Sequence, residues 1–176
     1  MTTSADRSQE HFFQGIKVLT IAHLGMLVAL GIGALVALGE VGEYPSIAVV
    51  AGLFGANVVA FAVAELWGYR TEPAPADDDE DEEAHLWGQE ALRRTTIFRL
   101  VVTEAPAYIA LVLVFVTGSW WAYLAGGFWA LLSMAWHAYP SRRVLARLEE
   151  SLDREGARSR LTDLLGDSPA PGYQQY

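Results

Sequence analysis

Along the chain the apolar positions gather into four blocks, at about 16–39, 46–67, 97–117 and 119–139, set apart by polar breaks of unequal length. Inside a block there is no regular return to polar residues every third or fourth position, so these are not half-exposed amphipathic helices. Each block holds about twenty residues, and a helix of that length covers roughly 30 Å, the thickness of the hydrocarbon core of a bilayer. Four such blocks predict an all-α integral membrane protein with four transmembrane helices in a bundle. The pattern changes after Pro140. Ser141 caps a stretch reading SRRVLARLEESLDRE, which Gly156 stops. Leu145, Leu148 and Leu152 share one side of it, which predicts a short cytoplasmic amphipathic helix. The organisation expected is an arm at 1–14, a membrane domain at 15–139, a helical tail at 140–166 and a tail without structure at 167–176.

Composition agrees with this division: 52% of the residues are hydrophobic and only 19% are charged. A soluble domain usually carries about a quarter charged residues. The net charge of −9 hides a segregation. Every Lys and Arg lies in the arm up to Lys17, in the 68–99 connection or in the tail beyond Pro140, and none lies in the connections at 39–45 and 117–119. The positive-inside rule then places both termini and the 68–96 loop in the cytoplasm, with two tight turns outside. A multi-pass protein of a bacterial-type cytoplasmic membrane is expected. Tyr44, Trp120, Trp121 and Tyr123 would form its outer aromatic belt, and Trp67, Tyr69, Trp136 and Tyr139 its inner one. The arm is polar and lacks a small-residue cleavage site, so the first block reads as a retained span with Phe12 and Phe13 at the interface.

Small residues recur at four-residue spacing within the spans. The first span has Gly25, Ala29, Gly33 and Ala37, the second Ala48, Gly52, Ala56, Ala60 and Ala64, and the fourth Ala122, Gly126 and Ala130. In lipid, helices associate by close backbone approach along such faces. Either spans one and two form a tight hairpin, or the faces meet other subunits. Asn57, deep in the second span, suits an interhelical hydrogen bond.

Ionisable groups inside spans are costly and mark sites by default. Glu104 precedes Ala105-Pro106 in the third span and lies five residues past Arg99, roughly 7–8 Å deeper at helical rise. His23 and His137 are its candidate partners, and Glu65 is a candidate partner for Arg99. His23, Glu65, Arg99, Glu104 and His137 thus form a polar group in the inner third of the bundle. It reads as a paired structural network, as a proton or cation site centred on Glu104, or as a metal site. The Glu-x-x-His spacing of di-iron bundles is absent, so no metal is assigned. Between the second and third spans, the acidic run at 77–83 has seven adjacent carboxylates and reads as a solvated linker. The stretch AHLWGQEALRRTT at 84–96 then reads as helix running into the third span, with Leu86, Trp87, Ala91 and Leu92 on its apolar side.

The segment TEAPAYIALVLVF, within 89–118, resembles the carboxylate-bearing helix of subunit c, the proteolipid of rotary ATP synthases. The resemblance implies a proteolipid-like role for Glu104 as the residue that takes up and releases an ion, and the second span's small residues resemble the proteolipid's other helix. It covers about a third of the chain. The long acidic loop, Pro106 and two further spans depart from the family, so the chain looks closer to small bacterial membrane proteins that share a c-like segment.

No phosphate-binding glycine loop, nucleophile elbow, His-Glu-x-x-His or zinc-finger spacing occurs, and there is no cysteine. No catalytic residue, enzyme activity or cofactor is expected, and without a basic stripe no nucleic acid is expected as a partner. The expected function is an oligomeric or accessory component of a membrane assembly. Its partners would be the lipid bilayer and either further copies of itself or a larger complex. The small-residue faces and the leucine-striped tail would make the contacts. Proton or cation binding or translocation through Glu104 is the alternative.

Overall fold

A computed structural model describes residues 4–74 and 81–165. The described residues form five α-helices and two short 3-10 turns. In order these are α1 Ser4–Leu38, α2 Ile47–Trp67, α3 Asp81–Thr117, α4 Trp121–His137 and α5 Arg142–Leu152, then Asp153–Glu155 and Leu161–Leu165. The chain is all-α among these residues. Three helical stretches, His11–Leu38, Ile47–Trp67 and Glu83–Thr117, are long and apolar enough to cross a membrane. The fourth block gives α4, an apolar helix of 17 residues, about 25 Å at helical rise. Both α1 and α3 extend well beyond the expected spans. The arm is helical from Ser4, and the helix read at 84–96 is continuous with the third span. Most of the acidic run and all of the terminal tail lie outside the described residues.

Two compact units emerge. The first comprises 1–17, 69–95 and 140–176, and the second 18–68 and 96–139. All basic residues except Arg99 fall in segments of the first unit.

The first unit has its own buried apolar core. This core joins Phe13 from α1, Ala74 from the connection, Ala84, Ala91 and Leu92 from α3, Leu145, Leu148 and Leu152 from α5, and Ala157 and Leu161 beyond it. The Ser141 side chain caps α5 by accepting from Val144 N, and Gly156 ends this region with φ of +97°, a conformation open to glycine. The leucine stripe, open in the sequence to a partner, to another copy or to the inner face of the bundle, is fully buried inside this unit. An apolar side needs cover, and here the chain supplies it. Phe13 is buried here too, as is Tyr69, whose ring lies under Arg147 at 5.2 Å.

The second unit has a core drawn from all four long helices. Ala34, Leu53, Ala110, Val114, Ala122 and Tyr123 form one cluster, and Leu27, Leu100, Ala107, Ala130 and Met134 belong to another. Small residues fill many of these positions, so the backbones approach closely. The two short connections meet each other. Trp120 N donates to Val41 O at 2.9 Å, the Ser119 hydroxyl donates to Glu43 O, and Tyr44 stacks on Trp121 at 4.4 Å. Gly42 and Gly118 both have positive φ there, and a methyl on Gly42 would strike Gly118 O.

The core of the first unit makes a clear stability prediction. Leu148→Ala removes a fully buried side chain and should cost about 3 kcal/mol in equilibrium unfolding. Leu86→Ala removes a side chain that is 59% exposed and should cost less than about 0.5 kcal/mol.

Candidate functional site

Polar side chains in the second unit are mostly tied to backbone carbonyls. Thr103 donates to Arg99 O at 2.7 Å and Thr20 to Ala138 O at 3.4 Å. Asn57 Nδ2 donates to Leu53 O at 2.9 Å and to Gly126 O at 3.1 Å, which makes the interhelical bond expected of it. Arg99 is fully buried. Its Nη1 donates to Gly68 O at 3.1 Å and its Nη2 to Thr96 Oγ1 at 3.0 Å. Its aliphatic stem covers Gly68, where an added methyl would lie 2.7 Å from Arg99 Cγ. Gly68 therefore caps α2 and leaves room for the guanidinium to reach the carbonyl.

His23, Glu104, His137 and Glu65, read from the sequence as one polar group with Arg99, lie as two carboxylate–histidine pairs. In the first, His23 Nε2 on α1 lies 3.9 Å from Glu104 Oε1 on α3. Tyr108, one turn along α3, donates to Glu104 Oε2 across a long 3.5 Å. The Glu104 side chain is buried, and Oε1 has no hydrogen bond. His23 Nδ1 sits 2.9 Å from Leu19 O. A carbonyl only accepts, so the ring proton belongs on Nδ1. A neutral ring then turns a lone pair toward a carboxylate. The pair attracts only when it holds one further proton, on Nε2 or on the carboxyl group.

The second pair joins α4 to α2. His137 Nδ1 lies 3.6 Å from Glu65 Oε2, and the His137 ring meets Phe61 edge-on at 4.5 Å. The histidine is fully enclosed, while the Glu65 side chain is 29% exposed. His137 thus faces Glu65, whereas sequence depth made it a candidate for Glu104. Among the described residues no group of three His, Asp or Glu is placed to hold a metal ion.

The packing residues sort differently from their spacing. Gly126 is a close-approach point, where an added methyl would lie 2.5 Å from Ala110 Cβ and 3.1 Å from Leu53 Cδ2. Ala60 is buried and Ala56 half-buried. Gly25, Gly33 and Gly52 instead have nothing within 4 Å of an added methyl among the described residues. The close-approach glycine on α1 is Gly31, which the four-residue ladder passed over. The Tyr123 ring lies against Gly31 and Gly127, its hydroxyl donates to Leu27 O at 2.5 Å, and Trp120 Nε1 donates to Gly31 O at 2.8 Å. Tyr123 is therefore an internal strut between α1 and α4. The cue in the sequence was a bulky tyrosine among the small residues of span four.

Arg99→Lys keeps the charge but loses the two-pronged reach to Gly68 and Thr96. It should cost about 1–3 kcal/mol in detergent unfolding, while Arg93→Lys, on an exposed position, should be neutral. Equal stability of the two variants would contradict the role given to Arg99. Comparison of the chain with protein-family models, with curated proteins and with solved structures finds no match.

Proposed function

We propose that the chain is a four-helix bundle spanning a bacterial-type cytoplasmic membrane, with both termini in the cytoplasm, and that it works as an oligomeric or accessory component of a membrane assembly. The fourth span is α4 with its flanking residues, at the lower length limit for crossing. The segregation of basic residues supports the orientation. One observation carries the assembly reading. The ladder on α1, Gly25, Ala29, Gly33 and Ala37, is exposed along its whole length, whereas the ladder on α4, Ala122, Gly126 and Ala130, is buried. A small-residue face open to lipid is the kind of surface on which another helix packs closely.

A second reading rests on the His23–Glu104 pair. A buried carboxylate facing the unprotonated nitrogen of a tautomer-fixed imidazole is a place to hold one proton. This supports proton or cation binding through Glu104, and it keeps the proteolipid-like role as the alternative function.

The two readings part experimentally. A methyl added at Gly25 or Gly33 has no described atom within 4 Å and both positions are exposed, so Gly25→Leu with Gly33→Leu should leave the fold intact. The wild type should run in mild detergent as a complex larger than its 19.2 kDa chain, and the double variant as a monomer. A monomeric wild type, or an unchanged complex in the variant, contradicts the assembly reading. For the second reading, wild-type protein in vesicles should pass protons down an imposed gradient and Glu104→Gln should abolish the flux. Equal flux with and without the carboxylate counts against it.

A further inference from the structure

A groove of about 440 Å³ opens between α2 and α4 in the second unit, within the size range of small-molecule sites. Its walls are aromatic, formed chiefly by Phe54, Phe61, Trp129 and Trp136, and two polar residues, Asn57 and Ser133, line it as well. Phe54 and Trp129 meet edge to face at 6.2 Å. Phe54, Trp129 and Trp136 are each about half exposed, at 53%, 46% and 55%, so the groove is accessible from the side of the helices.

Its polar atoms are the unusual feature. Asn57 is 6% exposed and Ser133 7%, yet Asn57 Oδ1 and Ser133 Oγ have no hydrogen-bond partner. The amide orientation of Asn57 is fixed, because Nδ2 donates to two carbonyls and a flipped amide would set its oxygen against both. Oδ1 therefore remains an acceptor that wants a donor. Ser133 offers a hydroxyl that donates or accepts. A buried acceptor without a partner is costly, and more so where no water reaches.

We propose that this groove binds a lipid-phase alcohol: an apolar body lying along the aromatic walls and a single hydroxyl group set between Asn57 and Ser133. Asn57 Oδ1 and Ser133 Oγ are enclosed beneath the groove surface, so the lining side chains part to admit the hydroxyl, which donates to Asn57 Oδ1 and accepts from Ser133. A ketone or ester carbonyl offers no donor for Asn57, and a phosphate would bring charge into an apolar groove. The groove is lined by α2 and α4 and not by the small-residue face of α1.

The probe is 12-bromododecanol, compared with its O-methyl ether, which lacks the donor. Bromine quenches nearby tryptophan, and Trp129 and Trp136 are the reporters. With the full-length chain in detergent, the alcohol should quench saturably at about one-tenth of the concentration the ether requires, as expected for one buried hydrogen bond. Ser133→Ala breaks no hydrogen bond within the protein, so it keeps the fold. It should reduce the preference for the alcohol, and Asn57→Leu should remove it. Trp129→Phe combined with Trp136→Phe should abolish the saturable quenching. Equal quenching by alcohol and ether overturns the proposal and leaves an ordinary acyl chain as the occupant. Absence of saturable quenching by either probe also overturns it, as does a preference that survives both polar substitutions.

Discussion

Hydrocarbon supplies no hydrogen bonds, so a polar atom on a helix in lipid must find its partner within the protein. That constraint orders the second unit. Thr103 and Thr117 each return a hydroxyl to the preceding turn at 2.7 Å, which keeps them compatible with an apolar surface. Asn57 and Tyr123 reach across to carbonyls of another helix, and Thr20 and Trp120 tie α1 to the two ends of α4, and so join helices that apolar contact alone would leave free to slide. Arg99 is the extreme case, a buried cation held by the carbonyl that ends α2 and by a threonine on its own helix. Few polar atoms escape this pattern. Glu104 Oε1, Asn57 Oδ1 and Ser133 Oγ are among those left without a hydrogen bond, and they sit at the places where binding is proposed.

The first unit obeys a different rule. Its charged residues alternate with leucines on α5, and the leucines are wholly enclosed. Burying each from water is worth roughly 1.5–3 kcal/mol. Side chains also fix its loops. Asp153 accepts from Ser159 N at 2.9 Å and Glu149 from Thr162 N at 2.8 Å, which hold the chain after Gly156 against α5. The division by charge and the division by packing therefore fall at the same places in the chain. Segments rich in basic residues build the core of the first unit, and segments nearly free of them build the small-residue core.

Much of this was legible in the sequence because it depends on local pattern. Block length marked the helices, the serine at 141 marked the start of α5, and an asparagine amid apolar residues marked an interhelical bond. What escaped was azimuth. Counting residues gives the depth of His23, Glu65, Glu104 and His137 along their helices, but which carboxylate meets which imidazole depends on the rotation of each helix about its axis. The same gap explains the glycines. A ladder of Gly25 and Gly33 defines a face without saying what it meets, and the contact on α1 is set by where the Tyr123 ring falls, at Gly31. The leucine stripe of α5 foretold burial correctly, but its cover comes from α1, α3 and the segment beyond α5, far away or later in the chain, and no spacing rule names them.

The membrane placement is the claim on which the rest of the functional account depends, and single-cysteine accessibility tests it most directly. The chain has no cysteine of its own, so Glu43→Cys and Arg158→Cys, both on exposed positions, each give one reporter. With a membrane-impermeant maleimide on intact bacterial cells, Glu43→Cys should be labelled at once, and Arg158→Cys only after the membrane is opened. Labelling of Arg158→Cys in intact cells, or of Glu43→Cys only after permeabilisation, would contradict four spans with cytoplasmic termini.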